Sequence, residues 1–187
     1  MPRRLLFIIK IVCCGAAVLM YSQLALAQGA KRPAIKKEVN AGSRIKVIDI
    51  AGLHSLLKPA GKPLMINFWA TWCDPCRDEF PELVKLNAAY QGKIDLVTVS
   101  LDDLADINTY VPKFLAEMKA DMPAYLLHTP DEDSAIAVVS KEWNGDLPFT
   151  ILISPSGATA YLRKGKIKYA DVTAEIDKLL LPGTGTK

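Results

Sequence analysis

An apolar run that ends at a pair of cysteines constrains the fold of this chain most strongly. Residues Leu64–Trp69 are almost wholly apolar, which predicts a strand that is covered on both faces. Cys73 and Cys76 follow directly, and apolar side chains then recur at helical spacing between Phe80 and Tyr90. The two cysteines are therefore predicted to lie between a buried strand and the first turn of a helix.

Other periodicities predict strands and helices in alternation, then a hairpin and a closing helix. The further predicted strands cover residues 45–49, 94–99, 124–128, 149–153 and 159–163. The further predicted helices cover residues 53–57, 107–118, 134–143 and 172–180. This order predicts an α/β fold whose sheet is parallel in its first part and antiparallel at its end.

The first 27 residues have the layout of a secretory signal peptide. Basic residues precede the apolar run Ile11–Met20, and the small-x-small sequence Ala25-Leu26-Ala27 offers a cleavage site before Gln28. An uncleaved anchor is the alternative, because the apolar segment is at the short limit for a membrane span. Residues 28–44, rich in lysine, alanine and glycine, are predicted to be a flexible linker.

Removal of this leader changes the charge balance of the chain. The leader holds three of the 23 basic residues and none of the 20 acidic ones, so the mature chain would have 20 of each. The excess of positive charge therefore lies in the predicted signal peptide, and the composition of the mature chain does not indicate a nucleic-acid partner. The remaining 160 residues of the 187 are enough for one domain with its own core.

Only two of the four cysteines, Cys73 and Cys76, remain after the leader is removed. A bridge across two intervening residues closes a very small loop, so it would constrain the unfolded chain little. A zinc site would need two more ligands, and His54 and His128 stand far from finger-like spacing. The pair is therefore predicted to be a redox couple.

The start of the helix predicts unequal roles for the two sulfurs. Cys73 would lie beside unpaired N–H groups and the positive end of the helix dipole, which stabilise a thiolate, so it is predicted to be the exposed nucleophile. Cys76, one turn further, is predicted to be more buried and to resolve the mixed disulfide. Pro75 fits the first helical turn, where its missing N–H would have no partner.

The segment from Ile66 to Pro81, with the sequence INFWATWCDPCRDEFP, resembles the active-site signature of thioredoxin-fold proteins. It is most similar to that of the exported TlpA/ResA-like thiol–disulfide oxidoreductases, and the likeness extends over residues 47–181. The resemblance implies a thioredoxin-like domain over residues 45–187. It also implies a mixed central sheet with helices on both faces and an extra strand–helix unit at residues 124–143.

The resemblance implies a substrate-binding edge at Leu147 and Pro148, to which Trp72 is added because it directly precedes the nucleophile. Pro148 is expected to have a cis peptide bond and to face the cysteines, which would leave the backbone of Leu147 free to pair with an extended substrate. Trp72 is expected to lie exposed beside the nucleophile. The family usually has threonine directly after its proline, whereas this chain has Phe149 and then Thr150.

Glu79 is implied by the resemblance as an active-site glutamate on the Cys76 side of the helix. Asn67 stands where thioredoxin itself has a buried aspartate that assists proton transfer, and an amide cannot accept that proton. A carboxylate at Glu79 would raise the pKa of the sulfurs and could transfer the proton instead. The alternative is a solvated acid that the helix dipole favours.

Together these residues predict a periplasmic thiol–disulfide oxidoreductase that works mainly as a reductant. The resemblance implies two kinds of partner: disulfide-containing exported apoproteins, as in cytochrome c maturation or copper-site assembly, and a membrane protein that relays electrons from the cytoplasm. No bound organic cofactor or metal is expected, and the protein is expected to be a monomer. The alternatives are a disulfide-donating oxidant, a peroxiredoxin and a non-enzymatic peptide-binding module of thioredoxin type.

Overall fold

A computed structural model describes residues 45–181, in which strands and helices alternate around one sheet. The predicted signal peptide, the linker and residues 182–187 lie outside the described residues. The strands are β1 (Ile45–Ile48), β2 (Leu64–Trp69), β3 (Asp95–Ser100), β4 (Ala124–Leu127), β5 (Phe149–Ile153) and β6 (Thr159–Lys164). The helices are α1 (Ile50–Leu56), α2 (Asp74–Ala89), α3 (Tyr110–Glu117), α4 (Glu132–Val139) and α5 (Tyr169–Leu180), with a short 3-10 helix at Leu104–Asp106.

The sheet has the strand order β1-β4-β3-β2-β5-β6. The pairs β1–β4, β4–β3 and β3–β2 are parallel, whereas the pairs β2–β5 and β5–β6 are antiparallel. The predicted change from parallel to antiparallel pairing is therefore confirmed. All residues of β2 are buried, as the apolar run predicted, because helices cover both faces of this central strand. No helix within residues 45–181 is long and apolar enough to span a membrane.

Side chains of β2 alternate between two apolar clusters, because successive residues of a strand point to opposite faces. Met65 and Trp69 pack with residues of α2, α3 and α5, whereas Ile66 and Phe68 pack with residues of α1 and α4. The indole of Trp69 lies with its ring centroid 4.4 Å from that of Phe114 in α3. The cysteine-bearing helix α2 therefore packs on the same face as α3 and α5.

The helix predicted over residues 107–118 is shorter in the structure and is preceded by a separate turn. Asp103 accepts a hydrogen bond from the backbone N–H of Ala105 at 2.8 Å and so begins the 3-10 helix. The α-helix starts only after Thr109. Side-chain capping by Asp103, which hydrophobic periodicity does not register, accounts for the separate 3-10 turn. Thr109, at the start of the α-helix, makes no side-chain cap.

The helix predicted over residues 134–143 begins two residues earlier and ends four residues earlier, at Glu132–Val139. Asp131 accepts a hydrogen bond from the backbone N–H of Ser134 at 3.0 Å, which fixes the earlier start. Ser140 has an extended backbone and ends the helix. The strand–helix unit expected between β3 and β5 is thus present, with a shorter helix.

Candidate active site

The two cysteines lie where β2 ends and α2 begins, and their sulfurs form a disulfide. Cys73 is the N-cap of α2, and its Sγ accepts a hydrogen bond from the backbone N–H of Cys76 at 3.2 Å. Pro75 lies in the first helical turn, as predicted. Once the disulfide is opened, this N–H and the positive end of the α2 dipole would stabilise negative charge on the Cys73 sulfur.

Both cysteines are buried in the oxidised protein. Cys73 is 5% exposed and Cys76 is fully buried. The predicted exposure of Cys73 is wrong, because its side chain belongs to the apolar cluster of α2, α3 and α5 and its sulfur is bonded to that of Cys76. The predicted order of accessibility is nevertheless observed, since Cys73 is the more accessible of the two.

The tryptophans divide into one exposed and two buried side chains. Trp72, directly before Cys73, is 69% exposed, as expected for a residue at the edge of the site. Trp69 is fully buried in the core and Trp143 is nearly so. Only Trp72 of the three is therefore placed to contact a protein substrate.

A buried carboxylate that the sequence analysis missed anchors the loop before Cys73. Asp102 accepts hydrogen bonds from the backbone N–H of Thr71 at 3.0 Å and from its hydroxyl at 2.6 Å. The hydroxyl of Ser100 also donates to Asp102, at 2.6 Å. Trp69 and Ser100 are paired at the carboxyl ends of the parallel strands β2 and β3. A polar residue just beyond that end is the signal that could have identified Asp102, because functional loops gather there.

The Leu147–Pro148 peptide bond is cis, as predicted. Pro148 is buried, and its carbonyl accepts a hydrogen bond from the backbone N–H of Gly165 at 2.8 Å. Leu147 is half-buried and packs against the apolar cluster that contains both cysteines. No hydrogen bond within residues 45–181 uses the backbone of Leu147, and its pairing with an extended substrate stays a prediction.

Phe149, where the family usually has threonine, belongs to an aromatic cluster on the α1 and α4 face. Its ring stacks on that of Trp143 with centroids 4.7 Å apart, and Trp143 lies 4.7 Å from Phe68. The Trp143 indole N–H also donates a hydrogen bond to the carbonyl of Asp146 at 2.9 Å. The aromatic residue therefore helps to anchor the segment that leads into Pro148.

Glu79 is buried in α2, one turn beyond Cys76, and only 2% of it is exposed. Its Oε1 accepts a hydrogen bond from the side-chain amide of Asn67 at 2.6 Å. Its Oε2 accepts one from the backbone N–H of Ile167, in the segment between β6 and α5, also at 2.6 Å. The alternative of a solvated acid on the helix surface is therefore wrong, because the β6–α5 segment covers the carboxylate.

Asn67 is held by a second contact on the neighbouring strand. Its Nδ2 also donates to the hydroxyl of Thr150 at 2.9 Å. The two residues are directly opposite each other in the antiparallel pair of β2 and β5, which brings their side chains within reach. Asn67, Thr150 and Glu79 thus form one buried polar group inside an apolar core.

Burial raises the pKa of the Glu79 carboxyl from 4.5 to about 7, because desolvation disfavours the charged form. Several groups lower this pKa in part, in decreasing order the Ile167 backbone N–H, the Asn67 amide, Lys166 and Arg163. Near neutral pH the protonated and ionised forms of Glu79 are both populated. The carboxyl can therefore accept and release a proton in the range where thiols exchange.

Metal-ligating side chains are not gathered within the described residues. No group of three or more histidine, cysteine or carboxylate residues in the range 45–181 is arranged to hold a metal ion. His54 and His128 are both exposed on the surface.

Comparison with known proteins gives one family and several relatives. The AhpC/TSA family matches residues 33–162. The thiol-disulfide oxidoreductase ResA of Oceanobacillus iheyensis is 34% identical over 108 residues, which are 57% of this chain and 52% of that protein. The match thus spans about half of that relative. The ResA protein of Bacillus cereus is 28% identical over 158 residues, which are 82% of this chain and 84% of that protein.

A solved structure identifies the fold. A thiol:disulfide interchange protein of the thioredoxin family from Chlorobium tepidum matches with a TM-score of 0.55 and 23% identity. The match covers 68% of this chain and 84% of that one. The mixed sheet with helices on both faces is therefore a thioredoxin fold, as the sequence predicted.

Proposed function

The chain belongs to the AhpC/TSA family and is a thiol–disulfide oxidoreductase similar to the ResA proteins, and from this premise we propose that it reduces disulfides of exported proteins. The observation that carries the proposal is the placement of Cys73 at the start of α2, with the buried carboxyl of Glu79 two turns further along the same helix. The first supplies a nucleophile and the second a proton acceptor.

The reaction transfers two electrons to the target. In the reduced protein, the Cys73 thiolate attacks one target sulfur, and the other target sulfur leaves as a thiolate that takes up a proton. Cys76 then loses its proton and attacks the Cys73 sulfur, and the second target sulfur leaves and is protonated. The target ends as a dithiol and the protein as the Cys73–Cys76 disulfide present in the structure.

Glu79 is the base that we propose for the second step. Cys76 is fully buried, so its proton cannot pass directly to solvent. Glu79 lies on the Cys76 side of α2, and its raised pKa of about 7 suits it to take up this proton and release it later. Asn67 acts as a positioning residue because its amide donates a hydrogen bond to the carboxyl. Thr150 holds that amide in turn, since its hydroxyl accepts a second hydrogen bond from it.

The direction of electron flow follows from the charge at Glu79. An ionised carboxylate disfavours thiolate in the reduced protein, and less stable thiolates make the dithiol a stronger reductant. An oxidant that donates disulfides is the competing function, because the helix dipole and the Cys76 N–H act in the opposite sense on the Cys73 sulfur. We assign the greater weight to the buried charge, which water screens least.

We further propose that the protein works as a monomer in the periplasm, after cleavage before Gln28. The targets would be exported apoproteins that await haem or copper, and a membrane protein would return electrons from the cytoplasm, because an oxidising compartment does not supply them. N-terminal sequencing of the exported protein tests the cleavage. A full-length chain in the membrane fraction would contradict it.

The experiment that tests the function uses a peptide disulfide with the haem-attachment spacing Cys-x-x-Cys-His. The reduced protein should convert one peptide disulfide to a dithiol for each Cys73–Cys76 pair oxidised, and Cys73→Ser should convert none. Net oxidation of the reduced peptide by the oxidised protein would favour the oxidant instead. If the parent transfers no electrons and Cys73→Ser binds the peptide as well as the parent does, the non-enzymatic peptide-binding module would be favoured.

A further inference from the structure

Two exposed aromatic side chains flank a depression beside the disulfide. Trp72 is 69% exposed and Tyr110 is 62% exposed, and they are the two most exposed large hydrophobic side chains within residues 45–181. Both line one depression of about 180 Å³. Water-exposed aromatic surface costs free energy and is typical of contact sites.

The depression is too small for a typical small-molecule ligand, whose pockets begin at about 300 Å³. Its volume of about 180 Å³ suits one side chain of another protein. The aromatic walls of Trp72 and Tyr110 favour an apolar side chain, because both partners would lose water-exposed surface on contact. The depression is thus suited to one apolar side chain of a bound polypeptide.

The floor of the depression is held in place without a ligand. The Arg77 guanidinium lies 4.7 Å above the centre of the Phe114 ring and forms an ion pair with Glu117 at 3.0 Å. Thr71, which also lines the depression, is fixed by its hydrogen bonds to Asp102. A preformed surface loses less conformational entropy when it binds a partner.

The charge at the rim indicates a second feature of the occupant. Arg77 and Glu117 neutralise each other, whereas Lys113 is exposed and takes part in none of the ion pairs within residues 45–181. The lining therefore carries one uncompensated positive charge. A carboxylate next to the bound apolar side chain would complement it.

We infer that Trp72, Tyr110 and Lys113 form a docking subsite for the segment that flanks the reacting cysteine of the target protein. The inference rests on the proposed function, because Trp72 directly precedes the nucleophile Cys73 in the chain. The occupant is an apolar side chain with a neighbouring aspartate or glutamate. The subsite lies on the α3 side, and its lining does not include Leu147 or Pro148.

The test uses a set of short peptides, each with one internal disulfide and differing only beside one cysteine. The flanking pair is leucine and aspartate, leucine and lysine, or glycine and serine. Rate constants for reduction are measured at low salt with the parent, Tyr110→Ala and Lys113→Glu. Each rate is divided by the rate of the same variant with the neutral 2-hydroxyethyl disulfide, which is too small to fill the subsite.

The parent should prefer the leucine–aspartate peptide. Tyr110→Ala should lower the normalised rate for both leucine peptides by about fivefold, with little change for the glycine–serine peptide. Lys113→Glu should reverse the preference between aspartate and lysine, by about fivefold in total. Lys62→Glu is the matched control, because it makes the same charge change before β2, at the strand end opposite the cysteines.

Two results would overturn the subsite. One is a normalised peptide preference that neither Tyr110→Ala nor Lys113→Glu changes. The other is an equal shift for Lys62→Glu and Lys113→Glu, since a general charge effect would then explain the preference. The 2-hydroxyethyl disulfide separates this failure from that of the proposed function, because a protein that does not reduce it lacks the underlying activity.

Discussion

The carboxyl of Glu79 in α2 and the amide of Asn67 in β2 are joined by a buried hydrogen bond of 2.6 Å. Asn67 thus places a hydrogen-bond donor on β2, and α2 supplies the ionisable group, Glu79. Thioredoxin itself has its buried acid on the strand. In this chain the buried acid lies instead on the cysteine-bearing helix, where the backbone N–H of Ile167 holds its other oxygen.

The pKa of Glu79 predicts how the stability of the oxidised protein depends on pH. The carboxyl ionises near 4.5 when exposed in the unfolded chain and near 7 in the folded protein, so the folded state retains the proton longer. Its contribution is therefore full below 4.5 and is lost as pH rises through 7. The complete loss corresponds to roughly 3 kcal/mol.

Urea unfolding of the oxidised parent and of Glu79→Gln measures this contribution. The free energy of unfolding of the parent, relative to that of the variant, should fall by roughly 3 kcal/mol between about pH 4 and about pH 8. Other titrating groups cancel in this difference, because both proteins contain them. A difference that stays the same at the two pH values would show that Glu79 has an ordinary pKa.

Removal of the Glu79 charge should also change the behaviour of the thiols. In reduced Glu79→Gln, the Cys73 thiolate should form at lower pH, because the neighbouring negative charge is gone. Resolution of the mixed disulfide by Cys76 should slow by at least about tenfold, because its proton acceptor is lost. Thiolate absorbance against pH and rapid-mixing kinetics measure the two effects.

The matched control for this variant is Asp78→Asn, which removes the same charge from the preceding, exposed position of α2. It should leave the resolution rate close to that of the parent. If both variants titrate and react as the parent does, Glu79 takes no part in the chemistry.

The two cysteines should trap targets unequally. Cys76→Ser should accumulate a mixed disulfide through Cys73, because the resolving thiol is absent. Cys73→Ser should accumulate little, because Cys76, in the first turn of α2, is fully buried. Mass spectrometry of the non-reduced adducts with the peptide disulfide measures both, and equal trapping would refute the assignment of nucleophile and resolving thiol.

The anchor at Asp102 should matter for both stability and rate. Asp102→Asn replaces one carboxylate oxygen by an NH2 group that faces donors from Thr71 and Ser100, and an unsatisfied buried group of this kind costs about 1–3 kcal/mol. The loop before Cys73 would also lose its fixed position, so reduction of the peptide disulfide should slow. Urea unfolding and the peptide assay measure the two effects.

Asp103→Asn provides the comparison, because Asp103 is exposed and asparagine caps a helix about as well as aspartate. Its effect on the free energy of unfolding should stay within about 0.5 kcal/mol. Equal effects of the two substitutions would mean that Asp102 has no special role in positioning the loop.

Sequence patterns predicted best those elements whose ends are determined by the local run of apolar residues. The strand at Leu64–Trp69 has its predicted bounds, because a buried apolar run can be recognised from the local sequence alone. The helix predicted over residues 134–143 begins earlier because the side chain of Asp131 caps it. The helix predicted over residues 107–118 is preceded by a separate 3-10 turn that Asp103 caps. Capping depends on side-chain geometry that apolar periodicity does not contain.

The residues of the candidate site also divide into those that local motifs predicted and those that depend on tertiary packing. Cys73, Cys76 and the cis bond before Pro148 were predictable from short motifs and the family resemblance. The burial of Glu79 was not, because its cover includes Ile167, which is 88 residues away in the sequence. Only the packing of the β6–α5 segment onto α2 brings these residues together, and no local pattern records that contact.

The reduction potential of the Cys73–Cys76 pair tests the central claim, that the protein is a reductant, most directly. Equilibration of the purified protein with dithiothreitol and with glutathione buffers, followed by thiol counting, gives this value. The buried charge of Glu79 predicts a potential near that of thioredoxin, about −270 mV. A potential near about −120 mV, as for a strong oxidant, would contradict the account and assign the protein to disulfide donation.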